Sequence, residues 1–151
     1  RSLQDLLKPG VRVAIGQPEQ CTIGALTRRL LESEGIYQEL LDTNVVTQTA
    51  TSALLVPAVT AKTAEAVLAY KTHTLAESNK LDVIELSGEM SKAVQTYSIA
   101  RSSEYKYLGR RLYKAIAQSR DSFEAAGFNW RLDNQPALEQ DETVSEPAKT
   151  P

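Results

Sequence analysis

The sequence predicts an α/β fold, an open sheet flanked by helices, and two observations carry that prediction. The first is Val11 to Glu34, VRVAIGQPEQCTIGALTRRLLESE, where β-branched Val11, Val13 and Ile15 alternate before Ile23, Leu26, Leu30 and Leu31 recur at helical spacing. A strand there feeds a helix. The second is that further short apolar runs follow, alternating with helical patterns, as strands and helices do in α/β domains. The change from period 2 to period 3.6 falls at Cys21 to Gly24. In an open α/β sheet such a junction lies at the carboxyl end of a strand, where ligands bind and helix N–H groups lack partners.

Taken in order, Ser2 to Leu7 reads as a short helix with Ser2 as N-cap and Leu3, Leu6 and Leu7 on one face, stopped by Pro9-Gly10. The first long helix runs from Thr22 or Ile23 to Glu34, with Gly35 in the left-handed position after it and Ile36 folding back. Tyr37 to Leu41 adds a helical turn, and Asn44 to Gln48 a brief strand. Thr49 to Ser52 is a capped helix start, and Pro57 keeps that helix short or kinked.

The nearly unbroken apolar run Ala64 to Tyr70 suits a strand covered on both faces, with Tyr70 at its carboxyl end. Thr72 to Ser78 is a helical turn, and Leu81 to Leu86 and Ala93 to Ile99 alternate as two more strands. Ser102 or Ser103 caps the longest helix, Glu104 to Ala126, with Tyr105, Leu108, Leu112, Ile116 and Phe123 as its apolar stripe and Gly127 as its stop. From Asp133 onward, prolines and acids replace large apolar residues, so the tail to Pro151 reads as disordered.

Composition narrows the function classes. At 151 residues, 42% hydrophobic and 24% charged, the chain has the size and make-up of one soluble globular domain. A net charge of -2 provides no general basic field, so nucleic acid is not expected as a partner. One cysteine rules out an internal disulfide and any zinc site built on several cysteines. No apolar run reaches the ~18 residues of a membrane helix, and RSLQDLLKPG is unlike a signal peptide. The chain is then either cytoplasmic or lacks its beginning.

Three segments together, SLQDLLKPGVRVAIGQPEQCTIGALTRRLLESEGIY, TATSALLVP and AEAVLAYKTH, resemble the second lobe of the type II periplasmic solute-binding proteins, and most closely the molybdate-binding ones of ABC transporters. The resemblance covers Ser2 to Leu132. It implies a three-layer α/β/α lobe whose first lobe is missing, with residues 2–99 as the ligand-binding lobe. Residues 100–132 would form a C-terminal helical segment returning toward that first lobe, and residues 133–151 the tail. It also implies an ABC importer component, periplasmic or anchored on the outer side of the membrane, whose leader is not in the chain. A membrane permease would be its partner, and the complete protein would be a monomer without a cofactor or metal.

The mechanism implied by the resemblance is capture of a tetrahedral oxyanion, molybdate or tungstate ahead of sulfate, by helix N–H groups, hydroxyls and a tyrosine. The matching positions are Ile23 with Thr22 and Gly24, then Thr51 or Ser52, then Tyr70. Cys21-Thr22-Ile23 stands where family members often carry proline and alanine, which leaves sulfate or another anion as a rival to molybdate. An effector-binding domain of a transcriptional regulator would share the fold and is the second class of function.

Other chemistry is weaker in the sequence. Cys21 and His73 both follow strand ends, but no orienting acid accompanies them, so a thiolate nucleophile is not expected and the chain reads as a non-enzyme. Tyr97, Tyr105 and Tyr107 read as packing rather than as iron ligands. Lys106, Arg110, Arg111, Lys114 and Arg120 lie largely opposite the apolar stripe, as a solvated face or a docking surface for the permease.

Overall fold

The computed structural model describes residues 2–134; of the tail predicted as disordered over 133–151, Asp133 and Asn134 close a 3-10 turn over Leu132–Asn134, and the rest lies outside the described residues. The chain divides into two compact units, the first ending at Ala93 and the second beginning at Val94.

The first unit is built on a parallel three-stranded sheet, β1 (Val13–Gly16), β2 (Val45–Thr49) and β3 (Ala66–Val67), in the order β2-β1-β3. All four residues of β1 are buried, as expected for a central strand covered on both faces. Val13 pairs with Val45 and Ala66, and Gly16 with Thr49, with an irregularity in the β2 pairing between Val13 and Ala14. The expected α/β architecture is therefore present.

Helices fill the connections. A 3-10 turn over Leu3–Leu7 precedes β1, its Ser2 N–H donating to Asp5 Oδ2 at 2.9 Å. Helix α1 (Thr22–Ser33) ends as the sequence predicts: Gly35 takes φ +72°, its N–H donates to the Glu32 carbonyl, and the Ile36 N–H reaches back to the Leu31 carbonyl. That pair of bonds satisfies carbonyls the helix end leaves open, and only glycine enters the left-handed region at low cost. Helix α2 (Tyr37–Thr43) follows, then β2. A 3-10 turn over Ser52–Leu54 leads into α3 (Leu55–Thr60), a short helix with Pro57 in its first turn that ends before Lys62 turns to φ +59°.

Val13, Ile15, Leu31, Ile36, Leu40 and Leu68 form one apolar cluster, and Ala14, Ile23, Leu55 and Ala64 a second. Because successive strand residues face opposite sides, the alternation along β1 sends Val13 and Ile15 to the first cluster and Ala14 to the second. Each fully buried Val, Leu or Ile contributes roughly 1.5–3 kcal/mol.

Polar links set the geometry at the other end of β1. The buried Asn44 side chain donates from Nδ2 to the carbonyls of Leu6, Lys8 and Val11 at 2.8–2.9 Å, tying the entry loop to the start of β2. The Arg12 guanidinium grips the Glu65 carboxylate through Nε at 2.9 and 3.0 Å and also donates to the Lys62 carbonyl at 2.9 Å, joining the starts of β1 and β3.

Four expectations are corrected. The strand predicted over Ala64 to Tyr70 is only Ala66–Val67, and Tyr70 instead caps α4 (Lys71–Thr74), which runs on into 3-10 turns through Lys80. Leu81 to Leu86 is not a strand: its alternating pattern has no paired neighbour, and Val83, Ile84 and Leu86 are exposed. A lone extended segment lacks the ladder that would satisfy its backbone. Ala93 to Ile99 likewise forms no strand.

The fourth correction is the long helix, which breaks into α5 (Lys106–Ala117) and α6 (Arg120–Ala125). At the break the Ser119 hydroxyl donates to the Ala115 carbonyl at 2.8 Å, a local bond that competes with a continuing helix, while the Ser119 carbonyl starts α6 by accepting from Ser122 at 3.1 Å. Of its apolar stripe, Tyr105, Leu108 and Leu112 are 72%, 58% and 53% exposed. What α5 packs is the neighbouring face. The Tyr97 hydroxyl donates to the Gly109 carbonyl at 2.6 Å, and the Tyr97 and Tyr113 rings lie 5.7 Å apart. Beyond the break, the Phe123 ring meets Phe128 edge-on at 5.6 Å and Trp130 at a tilt at 5.7 Å, and Gly127 at φ +83° ends α6 as predicted.

Candidate functional site

Because the three strands are parallel, they end on one edge of the sheet, and each end is followed by the start of a helical segment. Gly16 leads to α1 through Gln17 to Cys21, Thr49 leads to the Ser52–Leu54 turn, and Val67 leads through Tyr70 to α4. That edge gathers the sequence-predicted residues Thr22, Ile23, Gly24, Thr51, Ser52 and Tyr70.

The first turn of α1 is open toward that edge. Cys21 occupies its N-cap with extended backbone, and no side chain caps the helix. The Ala25 N–H is the first to return to a helix acceptor, the Cys21 carbonyl, at 3.2 Å, so the N–H groups of Thr22, Ile23 and Gly24 precede the ladder. Thr22 is exposed, whereas Ile23 and Gly24 are buried. With three such N–H groups and the aligned peptide dipoles, this helix start favours negative charge.

Cys21 and Thr49 link two of the strand ends. The Cys21 thiol faces the Thr49 carbonyl at 3.8 Å, and the Thr49 hydroxyl donates to the Thr51 carbonyl at 3.0 Å. Thr51, with extended backbone, stands at the N-cap of the Ser52–Leu54 turn, which packs on α1. Thr49 was not among the expected site residues, although its place at the end of a strand before a capped turn was a usable signal.

Tyr70 completes the arrangement from β3. It packs, partly buried, on the same apolar cluster as Ile23 and Cys21, and its ring meets His73 edge-on at 5.5 Å. Burial, and then the proximity of Cys21, push the Tyr70 phenol above its ordinary value of 10.0, so the hydroxyl stays a neutral donor at physiological pH. No group of three or more His, Cys, Asp or Glu side chains suited to a metal occurs among the described residues.

Other surface features lie elsewhere. A depression of about 270 Å³ lined by Arg28, Glu32, Gly35, Tyr37 and Gln38 sits toward the far end of α1. Its charges are already matched, Arg28 Nε bonding Glu32 at 2.7 Å with its guanidinium 5.6 Å from the Tyr37 ring centre. In the second unit Arg120 is held by Glu124 at 2.9 Å and Asp133 at 2.8 Å. Lys106, Arg110, Arg111 and Lys114 lie on α5, with Arg111 5.9 Å from the Tyr107 ring centre.

No helix among the described residues is long and apolar enough to cross a membrane. No curated protein and no solved structure matches the chain significantly. The family comparison is positive and covers most of the length: residues 1–129 match the family model described as bacterial extracellular solute-binding protein. An α/β lobe with its strand ends and helix starts gathered on one edge, matched to that model over all but its last stretch, belongs to the bacterial extracellular solute-binding protein family.

Proposed function

We propose that this solute-binding domain captures a tetrahedral oxyanion, molybdate or tungstate ahead of sulfate, and delivers it to the permease of an ABC importer. Family membership makes the chain a solute-binding component that works outside the cytoplasm with a membrane transporter as partner. The oxyanion is the finer reading. One observation carries it: the open first turn of α1 shares the sheet edge with the Ser52–Leu54 turn and with Tyr70 beyond the end of the third strand.

The N–H groups of Thr22, Ile23 and Gly24 would donate to one side of the anion, the Thr51 or Ser52 start to another, and Tyr70 Oη to a third. Each hydrogen bond to a charged group contributes roughly 1.5–3 kcal/mol, and each helix start roughly 0.3–1. Several such donors hold a dianion without a counter-cation. The residues bind and release, and no bond of the ligand is broken.

Calorimetry with molybdate, tungstate and sulfate against an uncharged sugar tests this reading on the protein. Saturable heat with the oxyanions alone is expected. Binding of the sugar with no oxyanion response would overturn it.

A further inference from the structure

We infer that Gly16 and Gly24 are a matched pair of positioning residues that set where the first turn of α1 stands relative to the end of β1. This rests on the oxyanion reading above. The two glycines meet across the β1–α1 turn. A methyl group on Gly24 would fall 2.5 Å from the Gly16 carbonyl oxygen and 2.6 Å from the carbonyl carbon and oxygen of Gln17. A methyl on Gly16 would fall 2.8 Å from the Gly24 nitrogen and 2.7 Å from Cys21 Sγ. The obstacles at Gly24 are all backbone, so no side chain can rotate away to relieve them.

Neither residue is glycine for its backbone angles, because the positive-φ glycines are Gly10, Gly35, Gly88 and Gly127. Their use is closeness. Any side chain at Gly24 must push the start of α1 away from β1 by about 1 Å to regain ordinary contact, and a hydrogen bond moved that far leaves the working range of about 2.7–3.2 Å. Gly24 therefore serves the site by more than its own N–H. Through the missing Cβ it holds the N–H groups of Thr22 and Ile23 in register with the Thr51 start and Tyr70.

Amide NMR on the chain decides this, with Gly24→Ala and Gly16→Ala compared with the parent, and Gly35→Ala as a control that strains a turn outside the site. Without anion, the Gly24 variant should shift the Thr22 to Ala25 amides while leaving Leu30 to Ser33 in place. Titrated with sodium molybdate at constant ionic strength, it should bind at least about tenfold more weakly than the parent, whereas Gly35→Ala loses thermal stability but keeps the parent's affinity. Should Gly24→Ala fail to fold, Gly16→Ala carries the same test. First-turn amides that stay in place, or parent-like affinity in a folded Gly24 or Gly16 variant, would overturn the positioning role alone. If none of the Thr22 to Ala25 amides of the parent shifts with molybdate, tungstate or sulfate up to about 0.1 M at constant ionic strength, the oxyanion reading falls and this role with it.

Discussion

The thiol of Cys21 lies 3.8 Å from the carbonyl oxygen of Thr49, so the N-cap of α1 touches the last residue of β2. The contact is structural. A serine hydroxyl is close in size to the thiol and still donates to the Thr49 carbonyl. Cys21→Ser should therefore leave anion binding intact and change stability by no more than about 1 kcal/mol. Urea melts and an anion titration of the variant check both, and loss of a hydrolytic activity in it would restore the enzyme reading.

Tyr70→Phe should weaken oxyanion binding by about 1–3 kcal/mol, since one donor disappears while the anion keeps its charge. Calorimetry with each anion measures it. Because the phenol is raised above 10.0, parent affinity should hold through pH 10.0 and fall only at higher pH, where a tyrosinate repels the ligand. Unchanged affinity in the phenylalanine variant would remove Tyr70 from the site.

The 151 residues alone should bind molybdate or sulfate with a dissociation constant no better than about millimolar, roughly -4 kcal/mol. The helix starts lie on an edge where water and salt compete, and an exposed helix terminus contributes only about 0.3–1 kcal/mol. Adding a lobe that closes over the edge should tighten binding by excluding water. Titrations of both forms at equal ionic strength compare them, and micromolar binding by the chain alone would place the whole site within it.

Asn44→Ala should cost about 2–4 kcal/mol, because the Leu6 and Val11 carbonyls lose the Asn44 amide and the Lys8 carbonyl keeps only the Val11 N–H. Chemical denaturation reads the loss. A change under about 0.5 kcal/mol would mean that water replaces the amide.

The Arg12–Glu65 clamp makes a pH prediction. Glu65 sits below its ordinary value of 4.5, first because the Arg12 side chain donates to it and then because the Arg12 backbone N–H does. A lowered carboxyl pKa stabilises the fold above 4.5, and that stability is lost as pH falls through the folded-state value. Glu65→Gln should thus be less stable than the parent at neutral pH, with the gap closing below about pH 4.5. Urea melts from neutral pH down to about pH 3 follow it.

What the residues determined by themselves was local. The alternation of Val11, Val13 and Ile15, the helical spacing from Ile23 to Leu31 and the left-handed Gly35 each act within a few residues, so β1, α1 and the end of α1 could be read directly. Gly127 was legible for the same reason. The tertiary structure decided what depends on a partner distant in sequence. Leu81 to Leu86 carries a strand pattern but no adjacent strand, so it stays unpaired, and the α5 stripe is apolar yet exposed because the Tyr97 to Ile99 segment packs on Gly109 and Tyr113 instead. Asn44 and the Gly16–Gly24 contact were invisible for a related reason. An ordinary asparagine and two ordinary glycines acquire their roles only when the fold brings three carbonyls, or another backbone, within a few ångströms.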